Sequence, residues 1–364
     1  MVRVLHASDF HLDSAYGALS PELAKLRRAE SRALVRELVD YANDHGVQLL
    51  LLSGDLLDSD AVYAQTAEEL SDALAAFRGE VFIAPGNHDY YTEGSPYATT
   101  LWPENVHIFK TPHMERIALP QYGCVVYGAA FTAAEDTAAG LQDFSVWEED
   151  RDSITIGVLH GDVAAAGSRY RSLAAADIAG SGLTYLALGH VHRYDGLQTA
   201  GVTTYGYCGC LEGRGFDEVG EKGFLLGEVE HGRVTMRFVP FARRRYQLLS
   251  VDTTDRDLYD AIVSALPTRT EDDLYRITLT GERGEGEEDL AALTERLAPL
   301  FHAVELRDKR ALRRDIWERC GEDSLRGIFL QNMKRRLDGA ATEEEKRKIE
   351  LAVRFGVDAL DGRE

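Results

Sequence analysis

The chain has 364 residues, 45% of them hydrophobic, and its 61 acidic side chains outnumber 40 basic ones to give a net charge of -21. That is enough apolar material for two domains, or for one large domain with an appendage, and enough negative charge to argue against broad adhesion to nucleic acid or anionic membrane, though not against a local site. No apolar run approaches the roughly eighteen residues of a membrane span, the N-terminal MVRVLHASD has neither region of a signal peptide, and four scattered cysteines make no disulfide framework, so a cytoplasmic location is expected.

Residues 3–7 read as a first strand. Ser20-Pro21-Glu22 then supplies an N-cap, a first-turn proline and a first-turn acid, and Leu23, Leu26, Leu34, Leu38 and Tyr41 follow at helical spacing. A strand over 47–53, a helix over 64–77 and a strand over 80–84 continue the alternation that builds a layered α/β fold. Further strands are expected at 106–109, 124–129, 154–159, 185–188, 203–207, 223–230 and 234–240. Their crowding after residue 200 predicts a largely antiparallel second half of the core. Cys208-Gly209-Cys210 reads as part of a strand, with its two thiols expected on opposite sides.

Beyond residue 245 a β-α-β-α-β pattern (strand 246–251, helix 257–266, strand 274–280, helix 290–300, strand 303–306) predicts a small α+β domain. Three segments follow: 1–245, 246–308 and a helical 309–364. In the last, a helix over 324–337 precedes a capping box, Thr342 to Glu345, that opens a helix over 346–360. Its stripe of Ile349, Val353, Val357 and Leu360 suits docking on this protein or on a partner. Basic clusters at 243–245, at Lys309-Arg310 with Arg313-Arg314, and at 334–336 read as solvated faces.

Five strands of the first segment end in residues that bind metal ions: Asp9-Phe10-His11, Gly54-Asp55, Gly86-Asn87-His88-Asp89, His160-Gly161-Asp162 and Gly189-His190-Val191-His192. One such residue is usually a turn former or a satisfied polar group. Five sets at one sheet edge converge on one crevice. The set is rich in oxygen and imidazole and free of cysteine, which suits Mn²⁺, Fe²⁺ or Zn²⁺. D-x-H and H-x-H are chelating pairs, and glycines before Asp55, Asn87 and His190 permit a positive φ or close backbone approach.

In that order and spacing, DxH, GD, GNHD, HGD and GHxH resemble the five-block signature of the calcineurin-like metallophosphoesterases. The resemblance implies a four-layer α/β/β/α sandwich with two divalent metal ions. Carried over block by block, it makes Asp9, His11, Asp55 and His192 ligands of the first metal, and Asp55 (bridging), Asn87, His160 and His190 ligands of the second. It also implies a bridging hydroxide as nucleophile, His88 as the group that meets the phosphate and protonates the leaving oxygen, and Asp89 as the residue that orients His88.

YLALGHVH (185–192), VLHASDFHLD and GDLLDSD further resemble the SbcD-like DNA repair exonucleases, relatives of the Mre-type nuclease subunits, in the branch typified by YhaO; GRGFDE (213–218) and AVRFGVDAL (352–360) extend the likeness. It implies a manganese-dependent nuclease (Fe, Zn or Mg being other candidates), DNA as substrate, a capping domain, an SbcC-like coiled-coil ATPase partner bound by the C-terminal helices, and homodimerisation. Asp58 departs from the pattern, because some members carry a histidine there. Tyr90 and Tyr91 suit loop packing or base stacking. Two other readings stand beside the nuclease: a phosphodiesterase or phosphatase for nucleotides or other small molecules, and a scaffold with structural metals.

Overall fold

The computed structural model describes residues 1–58, 64–136, 140–163, 168–283, 289–312 and 317–360. Arg313 and Arg314 of the second basic cluster lie outside the described residues. Two units interleave along the chain: Met1–Leu249 with Pro267–Ile277 and Thr294–Glu305, and Ser250–Leu266 with Thr278–Leu293 and Leu306–Glu364.

The first unit is built on two six-stranded sheets. In one, β1 (Val2–Ala7), β2 (Leu49–Leu52), β3 (Glu80–Ile83) and β4 (Val106–Ile108) run parallel, while β13 (Gly223–Glu230) and β14 (Arg233–Pro240) add an antiparallel edge beside β1. The other runs β11 (Gln198–Ala200), β12 (Thr203–Tyr207), β10 (Tyr185–Gly189), β7 (Ile154–His160), β6 (Cys124–Gly128), β5 (Glu115–Leu119). The expectation of a largely antiparallel second half holds for β13 and β14 and fails in this second sheet. β12, β10, β7 and β6 are parallel, and only the edge strands β11 and β5 are antiparallel. Crossovers such as the one through α4 (Ala175–Ser181), which leads from β7 back to β10, return the chain to the same end of the sheet, and strand spacing in the sequence does not record that.

Side-chain alternation sorts the core into layers. Leu50, Leu52, Val81 and Ile83 pack under α1 (Pro21–Asp44) and α2 (Ala64–Ala75). Leu49, Leu51, Phe82, Ile156, Val158 and Tyr185 fill the space between the sheets, and Leu159, Leu186 and Leu188 meet Ile178 of α4 on the far face. The layers are therefore α/β/β/α. A strand covered on both faces has no polar side to show, which is why β2 is four leucines.

Ser20 caps α1, its hydroxyl accepting from Leu23 N at 3.3 Å. The stripe read from the sequence holds for Leu34 and Leu38, but Leu26 stands 44% exposed and Arg27 is fully buried in its stead. Arg27 bonds Glu30 at 2.8 Å and Glu212 at 2.9 Å, and Arg244 closes on Glu30 at 2.6 Å. The face beneath the start of α1 is thus ionic, with charges paired as burial demands.

Smaller pieces complete the chain. The pair β8 (Asp162–Val163) and β9 (Ser172–Leu173) and the short helix α3 (Pro96–Thr99) belong to the first unit. Strands β15 (Tyr246–Asp252), β16 (Leu274–Thr280) and β18 (Ala303–Asp308) form a three-stranded sheet, β17 (Glu282–Arg283) pairs with β19 (Ala311–Leu312), and α5 (Leu258–Ala265) and α6 (Leu290–Leu297) accompany them. In the second unit, α7 (Leu325–Asp338) and α8 (Glu343–Leu360) form a hairpin around Leu330, Val353 and Val357, with Ile349 alongside. Leu360 is 41% exposed, and Leu351 and Phe355 on another face of α8 are 55% and 68% exposed. Among the described residues no helix is long and apolar enough to cross a membrane.

Burial opposes the charge on Glu30, yet the hydrogen bonds from Arg244 and Arg27 bring its carboxyl down from 4.5 to about 2. A depressed carboxyl adds stability that is complete above the unfolded value and is lost as pH falls towards the folded one. The wild type is therefore expected to lose stability between roughly pH 4.5 and 2. Glu30→Gln, followed by urea unfolding over that range, should be less stable at neutral pH and flatter in its acid response; an unchanged acid slope would refute the assignment.

Candidate metal centre

Five loops leave the parallel strands at one end of the two sheets and bring the sequence's five polar blocks together. Asp9 and His11 follow β1, Asp55 follows β2, Asn87 and His88 follow β3, His160 ends β7, and His190 and His192 follow β10. The turns are tight. Asp9, His11, Asp55 and His190 all have positive φ, at 56°, 44°, 51° and 110°. Strain of this kind is uncommon outside glycine and collects at functional sites. Backbone bonds hold it: Asp9 N–H donates to Gly54 O and His11 N–H to Asp55 O, each at 3.0 Å. Gly54 takes a positive φ of 89°, whereas Gly86 is needed for a different reason, because a Cβ there would collide with the Asp55 carboxylate.

The acceptor atoms converge in two places. At the first, His11 Nε2 and His192 Nε2 lie 3.3 Å apart, with Asp55 3.7 Å from the former and Asp9 3.4 Å from the latter. At the second, His160 Nε2 lies 3.0 Å from Asn87 Oδ1 and 3.4 Å from Asp55 Oδ2. Asp55 faces both. The opposite nitrogen of each ring meets an atom that only accepts: Asp58 Oδ1 for His11 at 3.0 Å, Glu218 Oε1 for His192 at 2.6 Å, and Ser53 O for His160 at 2.9 Å. Each Nδ1 then carries a proton, which turns each Nε2 towards the crevice as the nitrogen that can offer a lone pair to a cation. Lone pairs facing lone pairs at 3.0–3.3 Å repel unless positive charge lies among them.

The electrostatics express the same demand. Burial alone would lower His160 and His192, but Asp55 raises the first to about 9 and Asp9 with Glu218 raises the second to about 10. Burial also opposes the charges of Asp9 and Asp55, and the neighbouring imidazoles nonetheless hold both carboxyls below their usual range. The donor set of carboxylate, amide oxygen and imidazole, with both ring tautomers fixed from behind, fits divalent cations of the first transition row. Ligand-type atoms of Asp9, His11 and His192, of Asp9, Asp55 and His160, and of His11, Asp58 and His88 lie within 4.8 Å of one another in each set. His190 is placed differently. Its ring lies 5.2 Å from that of His160 and 5.0 Å from that of Tyr170, and its backbone N–H donates to Asp9.

Two expectations change. Asp89 does not orient His88. Its buried carboxylate accepts from Gly86 N at 2.7 Å, Leu56 N at 2.7 Å, Leu57 N at 3.1 Å and Asp55 N at 3.2 Å, and from the Tyr97 hydroxyl. It is the clasp that ties the loop after β3 to the loop after β2. The exposed His88 instead meets the carbonyl of Asp58 through Nδ1 at 3.2 Å. Nor do Cys208 and Cys210 face opposite sides of a strand: residues two apart in extended chain share a face, and here β12 ends at Tyr207, Gly209 turns with φ 78°, and both thiols are buried, Cys208 against Ser8 and Cys210 against the carbonyl of His192. Tyr91 packs on the core beneath the helices.

Sequence reasoning passes over several residues that shape the site. Ser8 donates to the Asp9 carboxylate, Ser53 holds His160, and Glu218 holds His192. Glu218 stands inside the GRGFDE stretch with no role readable from it, and Asp58 is visible there only as a departure from the pattern. Tyr97 carries no sequence signal at all.

Residues 2–194 match the family described as calcineurin-like phosphoesterase. The uncharacterised metallophosphoesterase YhaO of Bacillus subtilis (strain 168) is 30% identical over 266 residues, 69% of this chain and 63% of that protein, so the chain spans under two thirds of this relative. Among solved structures, TT1561 of Thermus thermophilus matches at 14% identity and a TM-score of 0.42 over 65% of this chain and 99% of that one. A dimetal phosphatase from Danio rerio matches at 13% identity and a TM-score of 0.44 over 65% and 95%.

Removing the clasp should open the site. Asp89→Asn turns an amide N–H towards converging donors and is expected to cost about 2–5 kcal/mol, whereas Tyr97→Phe, which removes one donor, should cost about 1 kcal/mol. Chemical denaturation of the two variants measures the difference, and equal small losses would deny Asp89 this role.

Proposed function

We propose that this chain, which belongs to the calcineurin-like phosphoesterase family and is a metal-dependent hydrolase of that type, cleaves the phosphodiester bonds of DNA with two divalent cations, manganese foremost. In this reading Asp9, His11, Asp55 and His192 hold the first cation, and Asp55, Asn87, His160 and His190 the second. The observation that carries it is the convergence of the His11, His192 and His160 Nε2 atoms on carboxylate and amide oxygens at two neighbouring points that share Asp55. When bound, such a cation pair supplies Lewis-acid polarisation of a phosphoryl oxygen and acidifies water.

The chain's own residues do the rest. Asp55, offered to both points, fixes their spacing, and the Asp89 clasp keeps Asp55 and Asn87 in register. His88 is exposed beside this crevice, its ring 4.8 Å from that of His11. With Nδ1–H donating to the Asp58 carbonyl, Nε2 is the atom that delivers a proton to the leaving oxygen and regains one from solvent.

The DNA substrate rests on the run YLALGHVH and the other stretches that resemble SbcD-like nucleases. The exposed Leu351 and Phe355 on α8 support a docking role for the C-terminal helices, in this reading on an SbcC-like ATPase, with the chain acting as a homodimer in the cytoplasm. The charge of -21 favours the alternative of a small phosphodiester, because a polyanion gains little from an acidic protein unless a partner supplies the attraction.

Labelled duplex and single-stranded DNA and bis-p-nitrophenyl phosphate, each with Mn²⁺, separate the two. Degradation of DNA by the wild type is expected, with kcat reduced by about 10²–10⁴ in His88→Ala at retained cation binding, and with both binding and turnover lost in Asp55→Ala. Turnover of the small ester without DNA cleavage would transfer the assignment to a small-molecule phosphodiesterase, and full activity in His88→Ala would remove the general acid.

A further inference from the structure

We infer that Arg214 is a positioning residue that locks the two imidazoles of the first cation point and His88 into one unit; the inference rests on the two-cation reading above. Arg214 Nη1 donates to Asp58 Oδ1 at 3.2 Å, and Nη2 donates to Glu218 Oε1 at 2.9 Å and lies 3.2 Å from His192 Nδ1. Its backbone N–H donates to the other Glu218 oxygen at 2.8 Å. The two carboxylates it grips are those that hold Nδ1 of His11 and Nδ1 of His192. Asp58 also presents its carbonyl to Nδ1 of His88. One guanidinium thus reaches three imidazoles, two through carboxylates and the third through the backbone of Asp58.

The physical reason lies in charge and geometry. Asp58 and Glu218 converge on adjacent rings, and like charges at such range separate unless a cation stands between them. The Asp58 side chain is 30% exposed and has water as an alternative to His11. A planar fork with donors at fixed spacing holds two carboxylates at once, which a lysine ammonium on a single stem does not reproduce. The second cation point has no share in this device, because His160 is held by the Ser53 carbonyl. The consequence is selective: loss of Arg214 frees Asp58, lets the His11 and His192 rings turn, and leaves His160 in place.

The test is calorimetric titration of Mn²⁺ into EDTA-stripped protein. The wild type is expected to bind two cations. Arg214→Ala should weaken one binding class by about 10–100-fold and spare the other, and His160→Ala should weaken the class that Arg214→Ala spares. In turnover, Arg214→Ala should lower kcat with KM little changed. If Arg214→Ala fails to fold, Arg214→Lys, which keeps the charge and loses the fork, should show the same selective loss. Wild-type affinity at both classes in either folded variant, or an equal loss at both, overturns the inference. A wild type that binds two cations and hydrolyses no phosphodiester sinks the proposed function and leaves the Arg214 assignment standing; one that binds fewer than two overturns both.

Discussion

Buried acceptor atoms that face one another impose the constraint on which this molecule is arranged. Asp9, Asp55 and His160 are almost wholly removed from water, and the Nε2 atoms of three imidazoles point at them or at each other. Such a cluster is unfavourable without positive charge at its centre. The rise of His160 to about 9 and His192 to about 10 records the same demand, met by protons when no cation is bound. Around this cluster the loops adopt conformations they would otherwise avoid, with four of the polar residues at positive φ. The two sheets supply the rigidity that this strain requires, because their parallel strands fix where every loop begins.

A layer of interactions behind the acceptors keeps them aimed. Ser8, Ser53, Asp58 and Glu218 each touch a residue of the cluster. His6 adds to this backing: buried between the sheets, it bonds Ser53 and Tyr185 at 2.8 Å each, and burial lowers it to about 3, so it stays neutral. Asp89 spends its hydrogen-bonding capacity on backbone N–H groups and Tyr97, joining two loops at the base of the crevice. Positive charge in this backing comes from Arg214 and from Lys222, whose ammonium donates to the His192 carbonyl at 2.9 Å, and offsets part of the local excess of carboxylate in an acidic chain.

The second unit follows simpler rules. The α7–α8 hairpin closes on Leu330, Val353 and Val357, and its helices begin at Ser324 and Thr342, whose hydroxyls accept from Gly327 N and Glu345 N. Three of the four residues in the stripe read from the sequence turn inward on the hairpin itself. Leu351 and Phe355, four residues apart on one face of α8, are left outward.

Local chemistry makes much of this legible without any coordinates. The five polar blocks stand at strand ends because turn residues and apolar runs are adjacent in the chain, and the capping signals at Ser20 and Thr342 are read within four residues. The sequence by itself therefore determined the kinds of layers, most strand positions and the five polar blocks that follow the strands. Pairings between distant segments left no such trace. Arg27 beneath α1 in place of Leu26, the parallel course of β10 and β12, the turn that buries both Cys208 and Cys210, the attachment of Asp89 to the loop after β2, and the grip of Arg214 on Asp58 across 156 positions were decided by the tertiary structure alone. The reason is physical: a carboxylate's partner is set by which group lies within 3 Å or so in the folded chain, and residue spacing along the sequence carries that information only within a single turn or strand.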